Sequence, residues 1–354
     1  MKKGVRSVGI TAPIIREGDN IPKIVAENVL KEVMKPNGVL DIDDKSVVGI
    51  TESIVARAQG NYVTVDEIAD EIISKYGKRV IIAYNPIYSR NRFAIILKAL
   101  ARASNGMVYV VTPNYDEVGN PFGYNQFTGV DIADYYKEII ESEGCEVGMR
   151  PDFGKDVLPL DDDRYLIVDC RLHNDKKWTS TNTITLKDIC SDKCEYGLLG
   201  SNKATEEKLK LFPKKEETQV LVEETKAFLK KYTGKDIIVC VYGDGCFKDP
   251  VGGIWEFADP ITMPSYTDPE IIESTPNEVK VKALADDKFA NLNGEELQNA
   301  MENEIANKEK NLVGSMQSQG TTPRLYRDLL ASLMDLTSGS GDRCTPIVLI
   351  RNYF

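Results

Sequence analysis

Residues 47–62, VVGITESIVARAQGNY, join an apolar run to a cluster of polar side chains. The first four residues are uncharged, which is typical of a buried strand. Thr51, Glu52 and Ser53 follow together, and an apolar and basic run from Ile54 to Ala58 predicts a short helix. Backbone N–H groups and polar side chains at such a strand-to-helix junction often hold a ligand. We therefore predict a strand, a helix and a binding position here.

Similar strand and helix patterns flank this stretch. Apolar residues recur at helical spacing in IPKIVAENVLKEVM (21–34), VDEIADEIISKYG (65–77) and NRFAIILKALARAS (91–104). The first of these helices is expected to be capped at Asp19 or Asn20, and the second at Thr64 or Asp66, with its end at Gly77. Strands are predicted in RVIIAYNP (79–86), GMVYVVTP (106–113), DIIVCVYGDG (236–245) and IVLIRNYF (347–354). The alternation indicates an α/β protein whose sheet is covered on both faces.

Composition limits the classes of function. The chain has 354 residues, 42% of them hydrophobic, which is enough for one large domain or two ordinary ones. Its net charge of −11, with both signs spread along the chain, argues against a nucleic-acid partner. No stretch approaches the ~20 apolar residues of a membrane span, and the first residues lack the apolar core of a signal peptide. We expect a cytoplasmic protein with no membrane partner.

The seven cysteines are expected to be free thiols, because no secretion signal precedes them. Cys170, His173, Cys190 and Cys194 have the spacing C-x2-H-x16-C-x3-C, so structural Zn²⁺ is an alternative. Against zinc, the second pair has a three-residue gap and the first cysteine ends an apparent strand. His173 is the only histidine in the chain, which disfavours a Ser-His-Asp hydrolase.

A second polar cluster lies between a predicted strand and a predicted helix. AYNPIYSRNRF (83–93) contains Asn85, Ser89 and Asn91 together with two arginines. Free N–H groups at a helix start and guanidinium groups both favour phosphate oxygens. This cluster is a candidate anion site, although asparagine and serine are also ordinary cap residues.

A third polar cluster lies in VYGDGCFKDP (241–250). Asp244 stands between two glycines at a strand end, with Lys248 and Asp249 close behind it. Carboxylates of this kind can hold a hard cation that serves phosphates, and an ordinary turn is the alternative. The chain contains neither G-x-x-x-x-G-K-[ST] nor a G-x-G-x-x-G that opens a βα unit, so a dinucleotide dehydrogenase is disfavoured.

Four stretches together resemble the coenzyme F420-0:γ-glutamyl ligase family. They are ITAPIIREGDNI, VVGITESIVARAQG, AYNPIYSRN and LLASLMDLTSGSGDRCTPIVLIRNY. The resemblance covers about residues 1–100 and 236–354, and it implies an α/β (α+β) fold with mixed sheets flanked by helices. Residues 1–120 and 236–354 are expected to complete one core, with 121–235 as a diverged or inserted section.

The resemblance also implies an activity. In that family a nucleoside triphosphate with a divalent metal converts a carboxylate into an acyl phosphate, and the amine of L-glutamate then forms an amide. The implied co-substrate is GTP (or ATP), the implied metal is Mg²⁺ or Mn²⁺, and the implied partners are a small carboxylate, an amino acid and a second copy of the chain in a homodimer. A non-catalytic nucleotide- or metabolite-binding protein with the same fold is the alternative, and a phosphotransferase without ligation is a third possibility.

Roles carry over to individual residues through the matched motifs. Asp244 and Lys248 are implied as catalytic, and Asp244, Asp249 and Glu52 as metal ligands. The implied nucleotide-binding residues are Thr51, Glu52, Ser53, Arg57, Asn85, Ser89 and Asn91.

The chain departs from the family pattern within these motifs. Ser53 stands where the family has lysine, and Gln59 where it has glutamate. Tyr88 stands where the family has a metal-binding aspartate, and Gly245 where it has threonine. We expect Glu52 to replace one lost carboxylate, while the number of metal ions and the acceptor stay open.

Overall fold

The chain divides into two compact units. A computed structural model describes residues 4–84, 90–112, 123–124, 129–151, 158–170, 180–243, 247–248, 255–256, 265–275, 282, 284–307, 325–338 and 344–354. The first unit comprises Met1–Ile15, Asn20–Val55 and Glu216–Phe354, and the second comprises Arg16–Asp19 and Ala56–Lys215. The predicted division at residues 120 and 235 stays a prediction.

Strands and helices alternate through most of the described chain. The strands are β1 (Arg6–Ile10), β2 (Val47–Thr51), β3 (Tyr62–Thr64), β4 (Val80–Tyr84), β5 (Met107–Thr112), β6 (Glu146–Pro151), β7 (Tyr165–Asp169), β8 (Thr183–Thr185), β9 (Ser201–Thr205), β10 (Lys208–Leu211), β11 (Ile238–Tyr242), β12 (Phe247–Lys248), β13 (Trp255–Glu256) and β14 (Ile347–Arg351). The helices are α1 (Ile21–Val33), α2 (Glu52–Ala58), α3 (Val65–Tyr76), α4 (Arg90–Ala103), α5 (Ile132–Ser142), α6 (Lys215–Thr233), α7 (Pro269–Ile272), α8 (Gly294–Asn307) and α9 (Tyr326–Ser338). Within the described part of the chain, none of the helices has the length and apolarity needed to cross a bilayer.

The first unit contains a four-stranded mixed sheet in the order β1-β14-β2-β11. The strands β2 and β11 are parallel, whereas β14 runs antiparallel to both of its neighbours. Residues 265–267 lie along the outer side of β11, where Val241 N donates to Ser265 O at 2.9 Å and Thr267 N donates to Val239 O at 2.8 Å. The expected α/β fold with mixed sheets flanked by helices is therefore confirmed.

The second unit contains a five-stranded sheet in the order β6-β5-β4-β7-β8, in which all neighbours are parallel. A smaller antiparallel sheet has the order β3-β10-β9. The helices α4 and α5 pack together through Phe93 and Tyr136, whose ring centroids are 5.2 Å apart. Strands with few charges that alternate with helices produce a parallel sheet of this kind.

Local sequence signals decide where the helices begin and end. The side chain of Asn20 caps α1 by accepting from Lys23 N. Thr64 and Glu67 form a reciprocal capping box at the start of α3, and Gly77 ends that helix at a φ of 73°. The predicted caps are confirmed. The helix α2 begins at Glu52, earlier than the predicted Ile54, because the polar residues after β2 already adopt helical geometry.

The middle of β2 lies very close to α9. A Cβ on Gly49 would lie 2.8 Å from Cε and 3.0 Å from Cγ of Met334, and closer still to its Sδ. Met334 is fully buried, and its Sδ lies 3.9 Å from the thiol of Cys240. A larger residue at position 49 would therefore force the buried side chain of Met334 to move.

Gly49→Ala is expected to lower the free energy of unfolding by about 1–3 kcal/mol, because the added methyl group overpacks a closed core. Urea denaturation monitored by circular dichroism measures the change. In the double variant Gly49→Ala/Met334→Ala, the methyl group at position 49 no longer meets the methionine. The double variant should therefore lose about 1 kcal/mol less unfolding free energy than the two single variants lose together. Strict additivity of the two losses would mean that the contact with Met334 is not the cause.

Candidate active site

The carboxyl ends of three strands meet at one edge of the four-stranded sheet. Thr51 at the end of β2 pairs with Tyr242 at the end of the parallel strand β11. Ile347 at the start of β14 pairs with both Ile10 of β1 and Ile50 of β2. The segments that follow β1, β2 and β11 therefore leave the sheet at the same end of its strands. We call the part formed by Thr51, Glu52, Tyr242 and Gly243 the β2–β11 edge.

Glu52 gives the β2–β11 edge a buried carboxylate. It is the first residue of α2 and is only 6% exposed. A carboxylate at this depth is stable only with hydrogen-bond donors or cations around it. Thr51 is half-buried, and its N–H donates to Pro346 O at 3.0 Å. Burial raises the pKa of Tyr242 to about 12, so the phenol adds no negative charge to the edge at neutral pH.

Two other predicted residues lie on α2. Ser53 belongs to the first unit and Arg57 to the second, and both are exposed. An exposed hydroxyl and an exposed guanidinium group can both donate hydrogen bonds to phosphate oxygens.

The third cluster of the sequence falls partly outside the described residues. Asp244 and Asp249 lie outside them, whereas Gly243, the neighbour of Asp244 in the sequence, directly follows β11 at the β2–β11 edge. Lys248 lies in β12 and pairs with Trp255 of β13, but its side chain is not among the described ones.

The second cluster follows β4, which belongs to the five-stranded sheet of the second unit. Asn85 and Ser89 lie outside the described residues, and Asn91 is described only as part of the helix α4. Arg92, one of the two arginines expected at an anion site, uses its guanidinium group within the fold. Its Nη1 donates to Leu199 O at 3.0 Å and to Ser201 O at 2.9 Å.

The turn after α2 brings two of the matched motifs together. Gly18 N donates to Ala58 O at 2.8 Å. A Cβ on Gly60, whose φ is 61°, would lie 2.5 Å from Oε1 of Glu17. Gln59 Oε1 accepts from Lys214 N at 2.9 Å. Gln59, which stands where the family has glutamate, therefore ties this turn to the start of α6.

The cysteines of the zinc alternative are buried. Burial, together with the charge of Asp169, raises the pKa of the Cys170 thiol. Cys190 N donates to both carboxylate oxygens of Glu71 at 3.1 Å. His173 lies outside the described residues, and among those that are described no three His, Cys, Asp or Glu side chains are grouped to hold a metal. A zinc site stays a prediction.

The family model for F420-0:Gamma-glutamyl ligase matches residues 9–352. This match spans nearly the whole chain, including the section 121–235, so the protein belongs to this family of ligases. A search of curated proteins found no match. The resemblance expected from the four motifs is confirmed.

Proposed function

We propose that the protein is a GTP- (or ATP-) and divalent-metal-dependent ligase that joins an amino acid, L-glutamate, to a small carboxylate through an acyl phosphate. Membership of the γ-glutamyl ligase family supports ligation. The observation that carries the proposal is the pairing of Thr51 with Tyr242, because it brings the buried carboxylate of Glu52 to the same sheet edge as the backbone next to Asp244.

The oxygen donors at this edge suit a hard cation. Mg²⁺ and Mn²⁺ prefer carboxylate and other oxygen ligands, and Glu52 offers such a ligand in a buried position. We assign Glu52, Asp244 and Asp249 to the metal. When bound, the metal would neutralise charge on the polyphosphate.

The remaining residues would bind the nucleotide and stabilise its phosphoryl groups. Thr51, Ser53 and Arg57 would donate hydrogen bonds to the polyphosphate, and we assign Asn85, Ser89 and Asn91 to the nucleotide as well. Lys248 would stabilise the charge that develops on the transferred phosphoryl group.

The reaction has two displacements. A carboxylate oxygen of the acceptor attacks the γ-phosphorus, and the bond to the nucleoside diphosphate breaks. The amine nitrogen of L-glutamate then attacks the acyl carbon, inorganic phosphate leaves with the electron pair of the C–O bond, and the nitrogen loses a proton to solvent.

The family precedent also leads us to propose a homodimer, which light scattering on the purified protein would test.

Thermal unfolding in the presence of ligands tests the binding part of the proposal. GTP or ATP added with Mn²⁺ or Mg²⁺ at about 100 times the dissociation constant should stabilise the folded protein by about 2.7 kcal/mol and raise its melting temperature. Nucleotide without metal, and metal without nucleotide, are the controls and should give smaller shifts. An unchanged melting temperature with all four pairs would contradict both ligation and nucleotide binding.

A further inference from the structure

The helix α2 ends in a Schellman C-cap. Gly60 has a left-handed φ of 61°, and its N–H donates to Arg57 O at 3.1 Å. Asn61 N donates to Ala56 O at 3.0 Å, which completes the pair of hydrogen bonds that defines this motif. A helix of seven residues has little stability of its own. The position of Arg57 therefore depends on what holds this cap in place.

Asn61 anchors the cap within the second unit. It is only 3% exposed, and its Nδ2 donates to Lys193 O at 3.1 Å and to Phe212 O at 2.7 Å. Its backbone oxygen accepts from Leu211 N at 2.9 Å. Lys193 and Phe212 lie 132 and 151 residues further along the chain. Tertiary contacts, rather than the short helix alone, therefore fix the end of α2.

Gln59 provides a second anchor, from the C-cap position itself. It is half-buried, and its Oε1 accepts from Lys214 N at 2.9 Å. The neighbouring Ala58 O accepts from Gly18 N at 2.8 Å. Arg57, two positions before Gln59, is exposed. A side chain on a backbone that is already fixed loses less conformational freedom when it binds a ligand. These anchors therefore favour binding of an anion by Arg57.

We propose that Gln59 is a positioning residue for ligation. Through its hydrogen bond to Lys214 N, it holds the C-cap of α2 so that Arg57 is preorganised for the polyphosphate. This role rests on the proposed function, in which Arg57 donates hydrogen bonds to the polyphosphate. Glutamate, the residue that the family has at this position, offers the same acceptor oxygen.

Calorimetric titration of the full chain with tripolyphosphate and saturating Mn²⁺ tests this role. Gln59→Leu should weaken binding about fivefold, because Arg57 must then be ordered on binding. Gln59→Glu keeps an acceptor oxygen for Lys214 N and should bind within about twofold of the unaltered protein. Asn37→Ala is the matched control, since Asn37 Oδ1 also accepts from a backbone N–H, that of Val39 at 3.2 Å, in an exposed turn of the first unit. It should leave the affinity unchanged.

A double-variant cycle separates positioning from a merely structural role. Arg57→Ala should weaken tripolyphosphate binding by at least about tenfold, because charge-assisted hydrogen bonds are lost. Adding Gln59→Leu to Arg57→Ala should weaken it no further, since the two residues act through one contact. Losses that multiply in the double variant, an unchanged affinity in Gln59→Leu, or a Gln59→Glu protein as weak as Gln59→Leu would overturn the proposal.

Hydrogen exchange in the unaltered protein tests the same coupling if Gln59→Leu does not fold. Opening of the cap breaks the hydrogen bonds of Gly60 N and Asn61 N and frees Arg57. Tripolyphosphate with Mn²⁺ should therefore slow the exchange of these two N–H groups. At concentrations that saturate both proteins, the slowing should be absent in Arg57→Ala. Equal slowing in the two proteins would show that the cap and the ligand are not coupled through Arg57.

Arg57→Ala also distinguishes failure of this role from failure of the proposed function. If it binds tripolyphosphate as tightly as the unaltered protein does, the assignment of Arg57 to the polyphosphate is wrong, and the role of Gln59 is wrong with it. If Arg57→Ala binds weakly and Gln59→Leu binds normally, the assignment of Arg57 stands and only the role of Gln59 is wrong.

Discussion

Glu52→Gln is expected to slow amide-bond formation by about 10²- to 10³-fold, because in the proposed mechanism Glu52 binds the metal and a neutral amide is a much weaker ligand than a carboxylate. Glutamine has nearly the same shape, so the buried position at the start of α2 should stay filled. Initial rates of phosphate release at saturating metal and nucleotide measure the effect, and the melting temperature checks that the variant is folded.

Two further variants decide whether the loss belongs to the site. Glu27→Gln changes an exposed glutamate of α1 that pairs only loosely with Lys23, at 3.9 Å, and should leave the rate unchanged. Asp244→Asn should reproduce the loss and abolish metal-dependent nucleotide binding. The effects of substituting two ligands of one metal on the rate are not additive. The double variant Glu52→Gln/Asp244→Asn should therefore be scarcely slower than either single variant. A fully active Glu52→Gln protein would show that Glu52 does not bind the metal.

Gly197→Ala is expected to cost about 3 kcal/mol of folding free energy or more, through a left-handed backbone and a collision with fixed carbonyl groups. Gly197 has a φ of 51°. A Cβ there would lie 2.5 Å from Ile189 O and 2.7 Å from Leu186 O, and closer still to Lys187 O. Backbone oxygens cannot turn away as the end of a side chain can. Urea denaturation of the purified variant measures the loss.

Gly144→Ala provides the matched control for the backbone term. Gly144 lies in the same unit and has a φ of 76°, but a Cβ on it would meet no described heavy atom within 4 Å. Its alanine variant should lose only about 1–2 kcal/mol, the cost of the left-handed conformation. If Gly197→Ala and Gly144→Ala lose the same unfolding free energy, the carbonyl groups around Gly197 move aside at no cost, and the predicted collision is absent.

The local features of the fold could be predicted because they depend on neighbouring residues. The cap at Thr64 and the end of α3 at Gly77 follow from side chains and φ preferences within a few positions. The strand before Thr51 could be predicted for the same reason, since its apolar run is continuous.

The order of the strands could not be predicted from such signals. Nothing near Tyr84 in the sequence indicates that β7 rather than a later strand lies beside β4. Which strands pair depends on which apolar faces of the sheet the helices and connecting segments of the whole chain can cover. The use of Arg92 was missed for a similar reason, because its acceptors, Leu199 and Ser201, are far away in the sequence.

The candidate site was predicted in its residue types more than in its arrangement. The sequence indicated Glu52 as a replacement carboxylate, but its burial and the pairing of Thr51 with Tyr242 required coordinates.

Product analysis with GTP, Mn²⁺, L-glutamate and coenzyme F420-0 tests the central claim, nucleotide-driven amide ligation, most directly. Other small carboxylates should be supplied in parallel, since the acceptor follows from the family alone. The account predicts one amide product by mass spectrometry and one inorganic phosphate for each amide formed, with neither when glutamate is left out. Nucleotide binding without any amide or phosphate, for every acceptor, would contradict it and leave a binding protein with a ligase fold.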